Sequence, residues 1–119
     1  MTIGRRTWAI PEGYIPGRSH AASRDLVSHD ALCFLNAAEQ DAHVRLTVFF
    51  TDRDPAGPYH LLVPARRSTH VRVNELTDPE PIPTDTEYST VVESDVPVVV
   101  QYTRLDSRQA ENALLSTIA

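Results

Sequence analysis

The amino-acid sequence predicts an all-β fold, a sandwich or barrel of six to eight short strands. Three observations carry that expectation. One segment alternates apolar and polar residues with a period of two. A second packs four valines into seven positions, Val96–Tyr102. Nine prolines and four glycines cut the 119-residue chain into short pieces, which suits short strands and tight connections.

Taken in order, Thr7–Ile10 and Ser28–Asn36 read as the first two strands. His43–Phe50 is the clearest. Val44, Leu46, Val48 and Phe50 fall on one face and His43, Arg45 and Thr47 on the other, as a half-buried strand requires. Asp54–Pro58 is a turn, because Pro and Gly dictate its backbone. Tyr59–Val63 returns, Pro64–Arg67 breaks it, and Ser68–Val73 resumes. The three prolines of Asp78–Pro83 remove three donors, so that stretch crosses the surface as a loop. Tyr88–Glu93 is a short strand. Val96–Tyr102 reads as a strand buried on both faces or at a subunit contact.

The tail from Asp106 differs. Gln109, Ala110, Glu111, Ala113, Leu114 and Leu115 are good helix formers. Asp106 with Gln109 imitates a capping box. Ala110, Ala113, Leu114 and Ile118 would share a helical stripe. The expectation is a short C-terminal helix; the rival is a loop and a terminal strand, Leu114–Ala119.

The length fits one domain over residues 1–119. At this size folding buries about two-thirds of the chain's surface, so a single core holds the fold without metal or disulfide. The net charge of −5 argues against a surface made wholly for nucleic acid or anionic membrane, though not against a local basic face. All eleven basic residues are Arg, through selection for forked donors or through codon usage. The lone Cys33 cannot form an internal disulfide, which points to a reducing cytoplasm. It sits in an apolar run, Ala31–Leu35, as a small core residue does. No apolar stretch approaches the ~20 residues of a membrane span. Arg5-Arg6 is followed by no apolar signal region.

His20, His29, His43, His60 and His70 lack the His-x-His spacing of a strand-borne metal site. No nucleophile elbow or phosphate loop is present. No metal, cofactor or catalytic residue is therefore assigned. Three polar clusters remain. In Arg66-Arg67-Ser68-Thr69-His70, followed by Arg72, the arginines form either a charged strand edge or an anion or partner site. Thr103-Arg104-Leu105-Asp106-Ser107-Arg108-Gln109 reads as a solvent-facing helix start or a recognition loop. Trp8 and Glu12, in Trp8–Pro16, suit either a core position or the stacking and holding of a sugar.

Several blocks resemble one family. They are Trp8–Pro16, Val27-Ser28-His29, Asp41–Val44, Gly57-Pro58-Tyr59, Val63–Arg67 and Thr103–Leu114. In that order they are similar to the soluble transducers of cyanobacterial-type sensory rhodopsins, the sensory rhodopsin transducer family; Gly17–Leu26 matches least. The resemblance implies a jelly-roll-like β-sandwich of about eight short strands, similar to carbohydrate-binding folds. It also implies a four-fold symmetric homotetramer in the cytoplasm that docks on a photoreceptor's cytoplasmic face, is not inserted in the membrane, and relays its signal without catalysis. The alternative is a lectin-like module for a sugar or sugar acid. On either reading the expected binding residues are Trp8, Glu12, Arg66, Arg67, His70, Arg72, Arg104, Asp106, Arg108 and Gln109.

Overall fold

The structure is a computed structural model. It describes residues 2–19 and 27–108 in full, and the backbone of 113–118. Among the described residues there are seven strands: β1 Arg5–Ile10, β2 His29–Asn36, β3 Ala42–Phe50, β4 Ala56–Val63, β5 Arg67–Arg72, β6 Tyr88–Asp106 and β7 Ala113–Ile118. A 3₁₀ turn, Val73–Glu75, follows β5.

β6 is the spine. Its first half lies between β1 and β3, with β4 beyond β3. Its second half lies between β7 and β2, with β5 beyond β2. One strand therefore belongs to both layers of a β-sandwich, and every pairing is antiparallel. The crossover falls at Ser94–Val98. Arg5 pairs with Val98 but Thr7 with Glu93, so two steps along β1 match five along β6. Strands that switch sheets do so through such irregularities. Ser94 Oγ donates to Val96 O at 2.6 Å within the bend. The Trp8 indole donates to Val98 O at 2.9 Å and to Arg5 O at 3.2 Å.

The sequence expects two strands where the chain makes one. The polar Ser94-Asp95 and Pro97 look like a turn, but the bend absorbs them without ending the strand. Val96–Tyr102 is not buried on both faces: Val96, Val98, Val100 and Tyr102 are buried, Pro97 and Val99 are half-buried, and Gln101 is exposed. The tail is the rival strand rather than the expected helix. β7 pairs with β6 from Asp106↔Ala113 to Gln101↔Ile118, and an open strand edge outweighs a weak helix propensity. Asp106 Oδ1 accepts the Arg108 N–H two residues on, at 3.1 Å, which is a turn and not a helix cap. Gln109 and the helix formers Ala110 and Glu111 lie outside the described residues, as does His20.

The core follows the alternation. Val44, Leu46 and Val48 face Leu32, Phe34, Val92, Val98 and Val100, all at most 2% exposed. Burial of each such side chain is worth about 1.5–3 kcal/mol. Phe50 is half-buried at the edge of this cluster. His43 and Arg45 face outward as expected. At one end β6 bends near Pro97, and the β2–β3 and β4–β5 turns lie beside it; Asn36 ties those turns together through Gln40 O at 2.8 Å and Val63 O at 3.0 Å. At the other, the Tyr88 end, β6 both starts and finishes.

Candidate partner-docking site

Residues 11–17, Pro-Glu-Gly-Tyr-Ile-Pro-Gly, cannot join a ladder and instead cross the Tyr88 end as a strap. Backbone groups along it hold it in place. Tyr88 N–H donates to Gly13 O at 3.1 Å and Asp85 N–H to Ile15 O at 2.8 Å. Tyr14 N–H donates to Asp30 Oδ2 at 3.0 Å. Ile15 plugs the core at 1% exposure. Gly13 lies against Tyr88 so closely that a Cβ there would sit 2.4 Å from the ring.

Under the strap is a buried charge network. Asp30 is on the inward face of β2, in phase with Leu32 and Phe34, and is fully buried. It accepts the Tyr14 N–H, a short bond from the Tyr88 hydroxyl, and Arg104 Nε at 3.3 Å. Arg104 then reaches outward, placing Nη2 2.8 Å from Glu12 Oε1. Burial raises the Asp30 carboxyl above the ordinary carboxylate range, opposed by the Tyr88 and Tyr14 hydrogen bonds and the Arg104 charge. Burial, then the Asp30 charge, pushes the Tyr88 hydroxyl far up, so it stays a donor. Burial works against the Arg104 charge, but Glu12, Tyr102 and Asp30 prevail and raise its pKa. The buried Tyr102 hydroxyl has no hydrogen-bond partner among the described residues.

The outer layer is aromatic and cationic. Arg104 and Arg108 lie 5.9 and 5.8 Å from the Tyr14 ring centroid, within cation–π range. The Tyr14 hydroxyl donates to Asp85 Oδ1 at 3.3 Å. Arg108 Nη2 is 2.6 Å from Asp106 Oδ2, and that hydrogen bond lowers the Asp106 carboxyl. The charges are fixed and paired. Such a surface recognises through forked donors and a ring face, and guanidinium makes a poor general base.

The structure thus brings Glu12, Arg104, Asp106 and Arg108 together. Arg66 and Arg67 are elsewhere. Arg66 lies on the β4–β5 turn and Arg67 opens β5 opposite Asn36, six strand residues or about 20 Å from Asp30. His70 and Arg72 occupy the outer face of β5, opposite Cys33 and Ala31. There they line a cleft of about 370 Å³ with His29 and Thr103. Burial pushes the Cys33 thiol up, away from the thiolate a nucleophile needs. Among the described residues no group of His, Cys, Asp and Glu is placed to hold a metal. Trp8 is half-buried, its indole spent on the β6 bend. Sequence reasoning missed Asp30, Tyr14, Tyr88 and Asp85. One signal was available: Asp30 is a carboxylate at an inward position of an alternating strand.

Comparison with known proteins relates the whole chain to a family. A family described as ASRT, Anabaena sensory rhodopsin transducer, matches residues 3–119. The solved Anabaena sensory rhodopsin transducer is 50% identical, with 86% of this chain and 99% of that one covered at a TM-score of 0.77. Thermotoga maritima 1070 is 36% identical, with 97% and 92% covered at 0.85. Among curated proteins nothing matches.

Proposed function

The chain belongs to the Anabaena sensory rhodopsin transducer family, and on that premise we propose that it is a non-catalytic signal transducer that docks on a sensory rhodopsin from the cytoplasm. The match over residues 3–119 carries this reading. No helix among the described residues is long and apolar enough to cross a membrane, which agrees with a protein that meets its receptor from outside the bilayer. The docking surface is the Tyr88 end: Glu12, Tyr14, Arg104, Asp106 and Arg108. Arg104 is anchored from beneath by Asp30, so its position is set before a partner arrives, and preorganised contacts bind with less loss of entropy. The working unit is a homotetramer. The test is calorimetric titration of the protein into a sensory rhodopsin held in nanodiscs. Arg108→Ala is expected to weaken binding at least several-fold while leaving the fold intact. Equal affinity for Arg108→Ala and the parent protein would reject this surface.

A second reading, binding of a sugar or sugar acid, is favoured by a separate observation. The outer face of the β1-β6-β3-β4 layer has an open cleft of about 420 Å³ lined by His43, Arg45, His60, Glu93 and Asp95. Saturable binding of a monosaccharide or uronic acid, lost in Arg45→Ala, would support it.

A further inference from the structure

Beside the proposed docking surface, at the Tyr88 end, lies an open groove of about 240 Å³ lined by Glu12, Phe49, Phe50, Thr51, Glu87 and Ser89. Strand alternation puts Phe49 outside, because its neighbour Val48 is buried. Its cross-strand partner is Ser89. That residue is small, and its hydroxyl is spent on Pro11 O at 3.1 Å. The Phe49 ring therefore has no large partner across the ladder to cover it, and it stays 41% exposed.

The charges around this ring do not balance. Glu87 is exposed, and the adjoining β3–β4 turn exposes Asp52 and Asp54. Arg53 on the same turn is committed to Asp52 at 3.2 Å and lies 5.0 Å from the Phe50 ring centroid. On the groove's other side, Arg104 meets Glu12 at 2.8 Å. Among the described residues no cation pairs with Glu87 or Asp54. The chain as a whole carries a net charge of −5. The groove thus offers an aromatic face and an unmatched carboxylate, and Glu12 belongs both to it and to the docking surface.

We infer, on the premise that the Tyr88 end docks on a membrane receptor, that this groove receives a lysine or arginine side chain from one of the receptor's cytoplasmic loops. Such loops carry an excess of Lys and Arg close to the bilayer. A cation seated here lies against the Phe49 ring, as Arg53 already lies against Phe50, and meets the Glu87 carboxylate in a charge-assisted hydrogen bond. The anionic cytoplasmic leaflet repels the same carboxylates, which favours a loop over lipid headgroups as the occupant. Arg104 and Arg108 are already matched by carboxylates, so this groove supplies the charge complementarity to a basic receptor face.

Calorimetric titration into a sensory rhodopsin in phosphatidylcholine nanodiscs tests it. Binding of the parent protein should weaken as salt is added. Glu87→Lys sets like charges against each other and should weaken binding at least tenfold. Glu87→Gln and Phe49→Ala each remove one attraction and should weaken it about two- to fivefold. Where Phe49→Ala loses its β-sheet circular dichroism, the two Glu87 variants carry the test. Changing the receptor's cytoplasmic-loop Lys and Arg residues to Glu, one at a time, should reveal one position that restores affinity to Glu87→Lys. If Glu87→Lys binds like the parent while Arg108→Ala does not, the groove is not used and the docking surface stands. A scan in which no loop position restores binding overturns the inference equally. Equal binding to empty nanodiscs would give the groove to lipid. Altered sedimentation of Glu87→Lys with receptor affinity kept would give it to a second copy. Either result overturns the inference. A parent protein that binds no receptor removes the docking reading itself, and the inference with it.

Discussion

Arg104 and Asp30 face each other across the β6–β2 ladder, with Nε 3.3 Å from Oδ1. Asp30 is fully buried and the Arg104 side chain 19% exposed. This contact joins the core of the sandwich to its surface. An ionised carboxylate inside a protein is costly unless it is paired and hydrogen-bonded. Here the pairing partner is also the residue that holds Glu12 and lies over Tyr14. The same guanidinium therefore ties the core to the surface on which the proposed docking rests.

Arg104→Gln should destabilise the fold by about 3 kcal/mol at neutral pH, the low end for breaking a buried pair because the guanidinium is partly exposed. The pH dependence follows from Asp30. Its folded-state pKa is raised, so ionisation costs the folded state, and the cost is fully present above that raised value. Arg104 offsets part of it. Without Arg104 the Asp30 pKa rises further. The deficit relative to the parent should therefore be largest near pH 7 and shrink as pH falls through the raised pKa. Urea melts at several pH values measure this. A deficit that grows towards acid would contradict the account.

Gly13→Ala should cost about 1–3 kcal/mol, the usual range for overpacking. The new Cβ would meet the Tyr88 ring at 2.4 Å, and moving that ring disturbs the hydroxyl bond to Asp30. The Asp30 carboxyl, followed by carbon NMR, should titrate at a changed pKa. An unchanged melting temperature would show that the strap moves freely.

Trp8→Phe keeps most of the ring but removes the indole donor to Val98 O. A loss of about 1–2 kcal/mol is expected, the cost of a hydrogen bond removed from a part-buried acceptor. Amide exchange should quicken first around Ser94–Val98. Uniform quickening across both layers would mean that Trp8 does not hold the bend in particular.

The Cys33 thiol, raised by burial, should react with a disulfide reagent at neutral pH several-fold more slowly than a free thiol. His70, its cross-strand neighbour, should make no difference when changed to Ala. A fast, His70-dependent reaction would point to an activated nucleophile and undo the non-catalytic reading.

The β-sandwich and most of its strands could be read from the residues because alternation is a local property. Val44, Leu46 and Val48 are inward because each lies two residues from the next, whatever else the chain does. The Asp78–Pro83 loop follows equally from the restricted backbone of proline, whereas the turn expected over Asp54–Pro58 ends early, because β4 begins at Ala56 and takes in Gly57 and Pro58. The candidate site was legible only in part. Arg104, Asp106 and Arg108 stood out as a polar cluster, and Glu12 as a carboxylate beside aromatic residues. Nothing local indicated that Glu12 would meet Arg104 across ninety-two residues of sequence, or Asp30 meet Tyr88 across fifty-eight. Those contacts exist because β6 runs up one layer, bends at Pro97 and returns down the other, so that its two ends close on the same strap. The tail shows the same limit. Ala113–Ile118 has residues suited to helix or strand, and the open edge of β6 decides between them by supplying partners for its backbone. Pattern within a few residues sets the strands. Only closure of the whole chain decides which side chains share an end.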